Sequence, residues 1–354
     1  MIVLVYSLEK FGQSSDLNRF MKFVVNTKYN AAGTIILNGL IRRLKESGYS
    51  VDRNNWNTYQ GYNIAIFMAP DSEVSRAKKN NPKIIVGIFD PKTKTKKQRD
   101  EVRCADFIVV SSIEQRETFL QYNKNIFIYY MFPDIIYSVM KHEKKEKITI
   151  GYHGNKQHLD SMRDVSLALD EISKNKNIEF TAIYNIKKLG KWKLNTPKQC
   201  KVNHVQWSED GFVEVLKKCD IGIVPSLTPV PVWVRILGRP FRSFIFNNEG
   251  YHSNDHMIRF KYSNNPGRLY VFSQLEIPVV TEFTPSSSQI IEDGKSGFLV
   301  GGKEGWKSAL LRLIDEHTLR QSISQALRVR IEESFSPDET FKKFINFLGT
   351  IHAK

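Results

Sequence analysis

Short runs of β-branched and other apolar residues punctuate the chain from end to end: "MIVLVYS", "KFVVNT", "NIAIFMAP", "KIIVGIFD", "DFIVVSS", "NIFIYYM", "KITIGYHG", "EFTAIYN", "CDIGIVPS" and "IPVVTEF". Between many of them lie segments such as "TIILNGLIRRLKESGYS" and "DSMRDVSLALDEISKNKN", whose apolar residues recur at the i, i+3 and i+4 spacing of an amphipathic helix. A strand that is apolar along its whole length must bury both faces. Alternation with helices is how a parallel sheet covers them, so the predicted fold class is α/β.

The chain runs this programme twice. "CADFIVVSS" (Cys104 to Ser112) and "CDIGIVPS" (Cys219 to Ser226) share one order: Asp, a buried strand, then Ser where the strand ends. Two doubly wound domains are predicted, over 1–142 and 147–334, joined through the charged stretch "MKHEKKEK". A closing helix is predicted over 335–354, with Ser336 or Asp338 as its cap and Pro337 in its first turn. Its Phe341, Phe344, Ile345 and Leu348 form one apolar stripe that must pack on something.

Length and composition agree with this reading. The 354 residues suffice for two cores, and 41% hydrophobic with 25% charged residues is ordinary for a globular protein, which excludes disordered, collagen-like and coiled-coil classes. The formal charge of +15 favours anionic partners: nucleic acid, acidic lipid, or phosphorylated and acidic sugars. No recognised nucleic-acid module or base-stacking motif is present, which counts against nucleic acid. Cys104, Cys200 and Cys219 show no CxxC spacing, so neither a disulfide framework nor a zinc site is expected, and a reducing compartment fits. No run approaches the roughly 20 apolar residues that cross a bilayer. The expectation is a cytoplasmic protein, with the inner face of an anionic membrane as a surface it would meet.

Ligands of open α/β sheets bind beyond the carboxyl ends of the strands. Four places fit that geometry. In "ITIGYHGNKQHLDS" a strand runs into His153, Gly154 and Asn155, where glycine lets backbone approach a ligand; a plain strand-to-helix turn is the alternative. In "KYSNNPGRLYVFSQLEIPVV" Lys261 and Arg268 flank a helix start, with Asn264 and Asn265 as further donors, against a solvated basic loop. In "TEFTPSSSQIIEDGKSGFLV" Ser286 and Ser287 offer hydroxyls and N–H groups to phosphate, or simply cap a helix. The fourth place has two frames, one with "KFVVNT" leading to Gly33, the other with "MIVLVYS" leading to Gly12.

Over Ile148 to Val300 the chain resembles the GT-B glycosyltransferases of the family 4 type, also called glycosyl transferases group 1. "IGYHGN", "FVEVLKKCDIGIVPS" and "KYSNNPGRLYVFSQLEIPVVTEFTPSSSQIIEDGKSGFLV" follow that family's order of glycine turn, acidic strand motif, donor-site helix, Pro-Val-Val strand and "DG..GFLV" ending. The N-terminal half is similar more loosely, through "AAG" before a helix ending in "GYSV". The resemblance implies two Rossmann-like domains facing a cleft, with the last helix crossing back to the first domain. It also implies metal-independent transfer from a nucleotide-diphosphate sugar, with no cofactor beyond that co-substrate, to a glycan or lipid-linked acceptor. His153, Gly154, Asn155, Ser263, Asn264, Arg268, Ser286 and Ser287 would then bind the donor. Lys261 would stabilise the departing diphosphate, and Gly33 or Gly12 would mark the acceptor loop. The sequence departs from the family where two glutamates are usual: Ser263 and Val271 stand there. No Asp-x-Asp pair is present to hold a metal, so basic residues would have to neutralise the diphosphate.

Asp90, ending "KIIVGIFD", is the first candidate for a catalytic base if transfer inverts the anomeric centre, against the routine reading of Asp-Pro as a turn. "YHSNDHM" sets His252 and His256 near Asp255, a metal-like spacing that a polar loop explains as well. "PVPVWVRILGRPFRSFIF" reads as a buried strand or loop, or as an insertion touching membrane or acceptor. A sugar-nucleotide epimerase and a non-catalytic polyanion-binding protein are the alternatives to a transferase.

Overall fold

The computed structural model describes residues 21–28, 32–130, 132, 142–209, 211–226, 231–236, 239–244 and 265–352. The chain divides into two compact units, one of residues 1–110, 119–129 and 340–354, the other of 111–118 and 130–339.

Among the described residues the first unit is built on six parallel strands: β1 (Lys22–Asn26), β2 (Ser50–Arg53), β3 (Ile64–Met68), β4 (Ile85–Phe89), β5 (Phe107–Val110) and β6 (Ile126–Ile128). Their order in the sheet is β2-β1-β3-β4-β5-β6. Among the described residues three helices alternate with the strands: α1 (Ala32–Glu46), α2 (Val74–Asn80) and α3 (Lys96–Cys104). Of the two frames for the first strand, "KFVVNT" is β1, paired in parallel with both β2 and β3. The other frame, with Gly12, lies outside the described residues. Residues of β3 and β5 are buried throughout, as strands covered on both faces must be. At the start of α3, Thr95 and Gln98 form a reciprocal capping box.

The second unit begins with α4 (Ile113–Phe119) and holds a second parallel sheet: β7 (Ile148–His153), β8 (Ile178–Tyr184), β9 (Lys201–Gln206), β10 (Ile221–Val224), β13 (Val279–Glu282) and β14 (Phe298–Val300). Its order is β14-β13-β10-β7-β8-β9. The helices are α5 (Lys156–Ser161), α6 (Arg163–Ile172), α7 (Ile186–Leu189), α8 (Phe212–Leu216), α9 (Gly267–Gln274), α10 (Pro285–Ile290), α11 (Lys303–Asp315) and α12 (His317–Ser334). In the segment "PVWVRI…RPFRSF" the described residues form a separate antiparallel ribbon, β11 (Pro231–Ile236) with β12 (Arg239–Phe244), in register Val232 to Ser243.

The shared "Asp, strand, Ser" order has one physical cause. Asp106, before β5, accepts the Val86 N–H at 2.7 Å and Lys78 Nζ at 2.7 Å. Asp220, before β10, accepts the Thr149 N–H at 2.9 Å and Lys145 Nζ at 2.6 Å. Each carboxylate ties the N–H of the second residue of the neighbouring strand and is neutralised by one lysine, so each locks register at the sheet's amino edge.

The last helix, α13 (Pro337–His352), returns to the first unit. Ser336 Oγ accepts the Glu339 N–H at 3.1 Å, which settles the cap in favour of Ser336. Phe344 is fully buried, its ring 5.7 Å from Phe89, 5.4 Å from Phe127 and 5.8 Å from Tyr129. Phe347 adds contacts with Phe107 and Phe127 that the apolar stripe did not include. Residues 142–147 are anchored rather than trailing: His142 Nε2 lies 2.6 Å from the Glu276 carbonyl and Lys147 Nζ 2.5 Å from Glu179. No described helix is long and apolar enough to cross a membrane.

Candidate active site

In the second sheet β7, the first strand in sequence, lies between β10 and β8, so chain direction across the sheet reverses there. A doubly wound sheet opens a crevice at this point, beyond the carboxyl ends of its strands. β7 delivers His153 to the crevice and is followed by Gly154 with φ of 145°. A Cβ there would sit 2.8 Å from Tyr152 Oη, so both the dihedral and the space require glycine. Tyr152 is fully buried and donates its hydroxyl hydrogen to the Asn155 carbonyl at 2.7 Å. Asn155 uses its side-chain oxygen to cap α5, accepting the Gln157 N–H at 2.9 Å. That oxygen is a structural cap, whatever its amide contributes to a ligand.

Arg268, from the first turn of α9, reaches over this turn. Its Nη2 donates to the Pro225 carbonyl at 3.0 Å and to Ser226 Oγ at 3.4 Å, just past the end of β10, and its guanidinium carbon lies 5.7 Å from the Tyr152 ring centroid. Ser226 N in turn donates to the Glu282 carboxylate at the end of β13. Three strand ends are thereby fastened around one cation. Arg268 Nη1 is buried and has no hydrogen-bond partner among the described residues. Burial pushes the guanidinium pKa down, while Tyr152 and Glu282 pull it back up.

His153 stands beside this cation as a neutral group. Its ring is 5.5 Å from Phe212 and 5.3 Å from Phe272, and its Nε2 is buried without a partner among the described residues. Burial first, and then the Arg268 charge, push its pKa down to about 3. It can offer an anion a hydrogen bond but not a charge.

The structure gives Ser286 and Ser287 another role than phosphate binding. Both are buried. The Ser286 N–H donates to Glu114 Oε1 at 3.1 Å, and its hydroxyl donates to the other carboxylate oxygen. Ser287 N donates to Thr284 Oγ1 at 3.1 Å, and Thr284 is the N-cap that the serine run concealed. A carboxylate already holds this helix start, and it would repel a second anion.

Asp90 lies in the first unit, at φ of 48° after β4, with Lys92 Nζ 2.6 Å from its carboxylate. Gly33 falls inside the first turn of α1 rather than in a loop before it. Lys261, Ser263, Asn264 and Gly12 lie outside the described residues, as do His252, Asp255 and His256. Among the described residues no group of three or more His, Cys, Asp or Glu side chains could hold a metal ion. Val271 is a buried core residue of α9, one turn beyond Arg268. Tyr152, Ser226, Glu282 and Glu114 did not emerge from the sequence as site residues. The signal for Ser226 and Glu282 was their place at strand ends; Glu114 carried none, because its partner lies far along the chain.

No family model matches the chain, and neither does any curated protein sequence. Solved structures share its fold, the two-domain α/β fold of GT-B glycosyltransferases. Anabaena HepE in complex with UDP-glucose superposes with a TM-score of 0.60 at 11% identity, over 93% of this chain and 100% of that one. The lipopolysaccharide outer core galactosyltransferase WaaB, in its apo form, gives 0.55 at 14% identity, over 93% and 99%. S. aureus TarM, in complex with Fondaparinux, alpha-GlcNAc-glycerol and UDP, gives 0.52 at 14% identity, over 80% of this chain and 55% of that one. The chain therefore spans about half the length of TarM.

Proposed function

We propose that the protein is a glycosyltransferase that moves a sugar from a nucleotide-diphosphate sugar to a glycan or glycolipid acceptor. One observation carries this reading: a half-buried arginine, Arg268, whose Nη1 is buried and unpartnered among the described residues, at the switch point of a Rossmann-like sheet. A diphosphate oxygen would supply the missing acceptor. In transfer, negative charge grows on the leaving diphosphate, and a fixed cation in a site screened from water stabilises that charge without reorganising. Gly154 would let the backbone approach the phosphates, and the neutral His153 would add a hydrogen bond. The fold likeness to HepE with UDP-glucose and to TarM with UDP supports the donor class.

The finer assignments belong to the same proposal. Lys261 would share the leaving-group charge with Arg268, so that cationic side chains do what a metal does elsewhere. Asp90 would serve as base in an inverting reaction. Gly33 or Gly12 would border the acceptor, and the net charge of +15 would favour an acceptor at an anionic membrane surface. The test is calorimetric titration with UDP-, GDP-, ADP- and CMP-sugars, with and without a chelator. One class should bind and release nucleotide in the chelator's presence, and Arg268→Met should weaken it by at least about tenfold. Equal binding of all or none of the panel, or an unaffected Arg268→Met variant, would sink the reading.

A further inference from the structure

The second unit carries another cavity, at the opposite edge of its sheet. It has a volume of about 210 Å³ and lies where β7 and β8 begin, with Ile148 and Asn177 in its wall. β7 is six residues long and Gly154 follows it, so this edge is about 20 Å from Gly154. Nothing in the donor reading uses it.

Four cationic side chains line the cavity, Lys144, Lys145, Lys176 and Arg320, against two carboxylates, Glu146 and Asp315. Lys145 is already paired with Asp220, and Lys176 with Asp315. Of the lining residues, Lys144 and Arg320 then face Glu146, while Asp220, already paired with Lys145, also acts on Arg320; the balance is positive. The first turn of α12 adds to it: His317 and Arg320 of that turn line the same wall, and the cap residue Glu316 makes no side-chain capping bond. An 18-residue helix presents roughly half a positive charge at such an end.

Arg320 makes this a built site. Its side chain is 1% exposed. Nη1 donates to the Leu313 carbonyl at 2.7 Å and Nη2 to the Glu143 carbonyl at 2.8 Å, which clamps the guanidinium plane. Its Nε is buried with no partner among the described residues. A buried, rigidly held N–H donor left over on a cation favours an anionic acceptor.

We propose that this cavity binds a phosphoryl group, held by Arg320, Lys144 and the N-terminal turn of α12, at a site separate from the donor crevice. The volume suits inorganic phosphate or the phosphate end of a small phosphomonoester, and is below the usual size of a whole cofactor pocket. The site stands independently of which sugar nucleotide the donor crevice takes.

The experiment is isothermal titration of the full chain with sodium phosphate and, separately, glucose 6-phosphate, each at ionic strength matched with sodium chloride and in saturating UDP. Saturable binding should persist under UDP and weaken by about fivefold in Lys144→Gln, whose exposed side chain is not needed for folding. Equal affinity for the two probes identifies free phosphate; tighter binding of the sugar phosphate identifies a phosphomonoester. Arg320→Gln should abolish binding, and circular dichroism separates that loss from unfolding. Absence of saturable binding, full competition by UDP, or unchanged affinity in Lys144→Gln overturns the proposal.

Discussion

The neutral His153 makes stability depend on pH in a way that can be calculated. Its pKa is about 3 in the folded protein and 6.5 in an ordinary setting. The sign follows from proton counting. Below about pH 6.5 the unfolded chain takes up a proton on this ring, while the folded chain refuses it until about pH 3, so acid favours unfolding across that window. The contribution is fully present above the unfolded pKa and falls as pH drops. At about pH 5 the loss is roughly 2 kcal/mol, from about 1.4 kcal/mol for each unit below 6.5. His153→Phe removes the titrating group and keeps a ring between Phe212 and Phe272. Hydrogen exchange of peptides spanning β7 and β8 gives the opening free energy of this unit at about pH 7.5 and pH 5. Wild type should lose roughly 2 kcal/mol more than His153→Phe between the two. His142 and His204, both also pushed down by burial, titrate in both proteins and cancel in the difference. Equal pH dependence, within about 0.5 kcal/mol, would refute a neutral buried imidazole.

Other perturbations test neighbouring parts of the structure. Gly154→Ala must hold a side chain at a strained dihedral and displace Tyr152 Oη, so it should lower unfolding free energy by about 1–3 kcal/mol, read by urea titration, and lower nucleotide affinity in the same preparation. Ser286→Ala leaves the buried Glu114 short of a hydroxyl donor and should cost about 1–3 kcal/mol; adding Glu114→Gln should recover part of it, since the uncompensated charge is gone, and strict additivity in the double-mutant cycle would refute the contact. Phe344→Ala empties the ring cluster under α13 and should destabilise the first unit by about 3–5 kcal/mol, with early exchange in β4 and β6; a loss below about 1 kcal/mol would mean the helix is not held there.

Much of the fold could be read directly because parallel strands buried on both faces leave an unbroken apolar run, and β3, β4, β5 and β10 are such runs. The paired motifs before β5 and β10 were visible as a repeat, yet their cause was not. Asp106 and Asp220 act through N–H groups of neighbouring strands, and sheet order is a property of the folded chain. The β11–β12 ribbon escaped because its prolines and arginines obscure the alternation that marks a hairpin. At α10 the serine run drew attention from Thr284, the residue whose extended backbone lets it cap.

For the site, chemistry that depends on one residue's own backbone was legible, and chemistry that depends on a distant partner was not. Gly154 announced itself, because a positive dihedral after a strand excludes other residues. Arg268 could be seen only as a charge near a helix start; that it fastens β10 to β7 and keeps one nitrogen unpartnered among the described residues needed the third dimension. Val271 shows why this difference matters. A buried valine excludes a carboxylate at that place on α9, and one turn earlier on the same helix stands Arg268. Under the proposed function, a helix that in similar enzymes would offer the nucleotide a carboxylate here offers a guanidinium. Recognition at this corner would then rest on the phosphates, which every nucleotide-diphosphate sugar has in common, and selection of one nucleotide would have to come from elsewhere in the crevice.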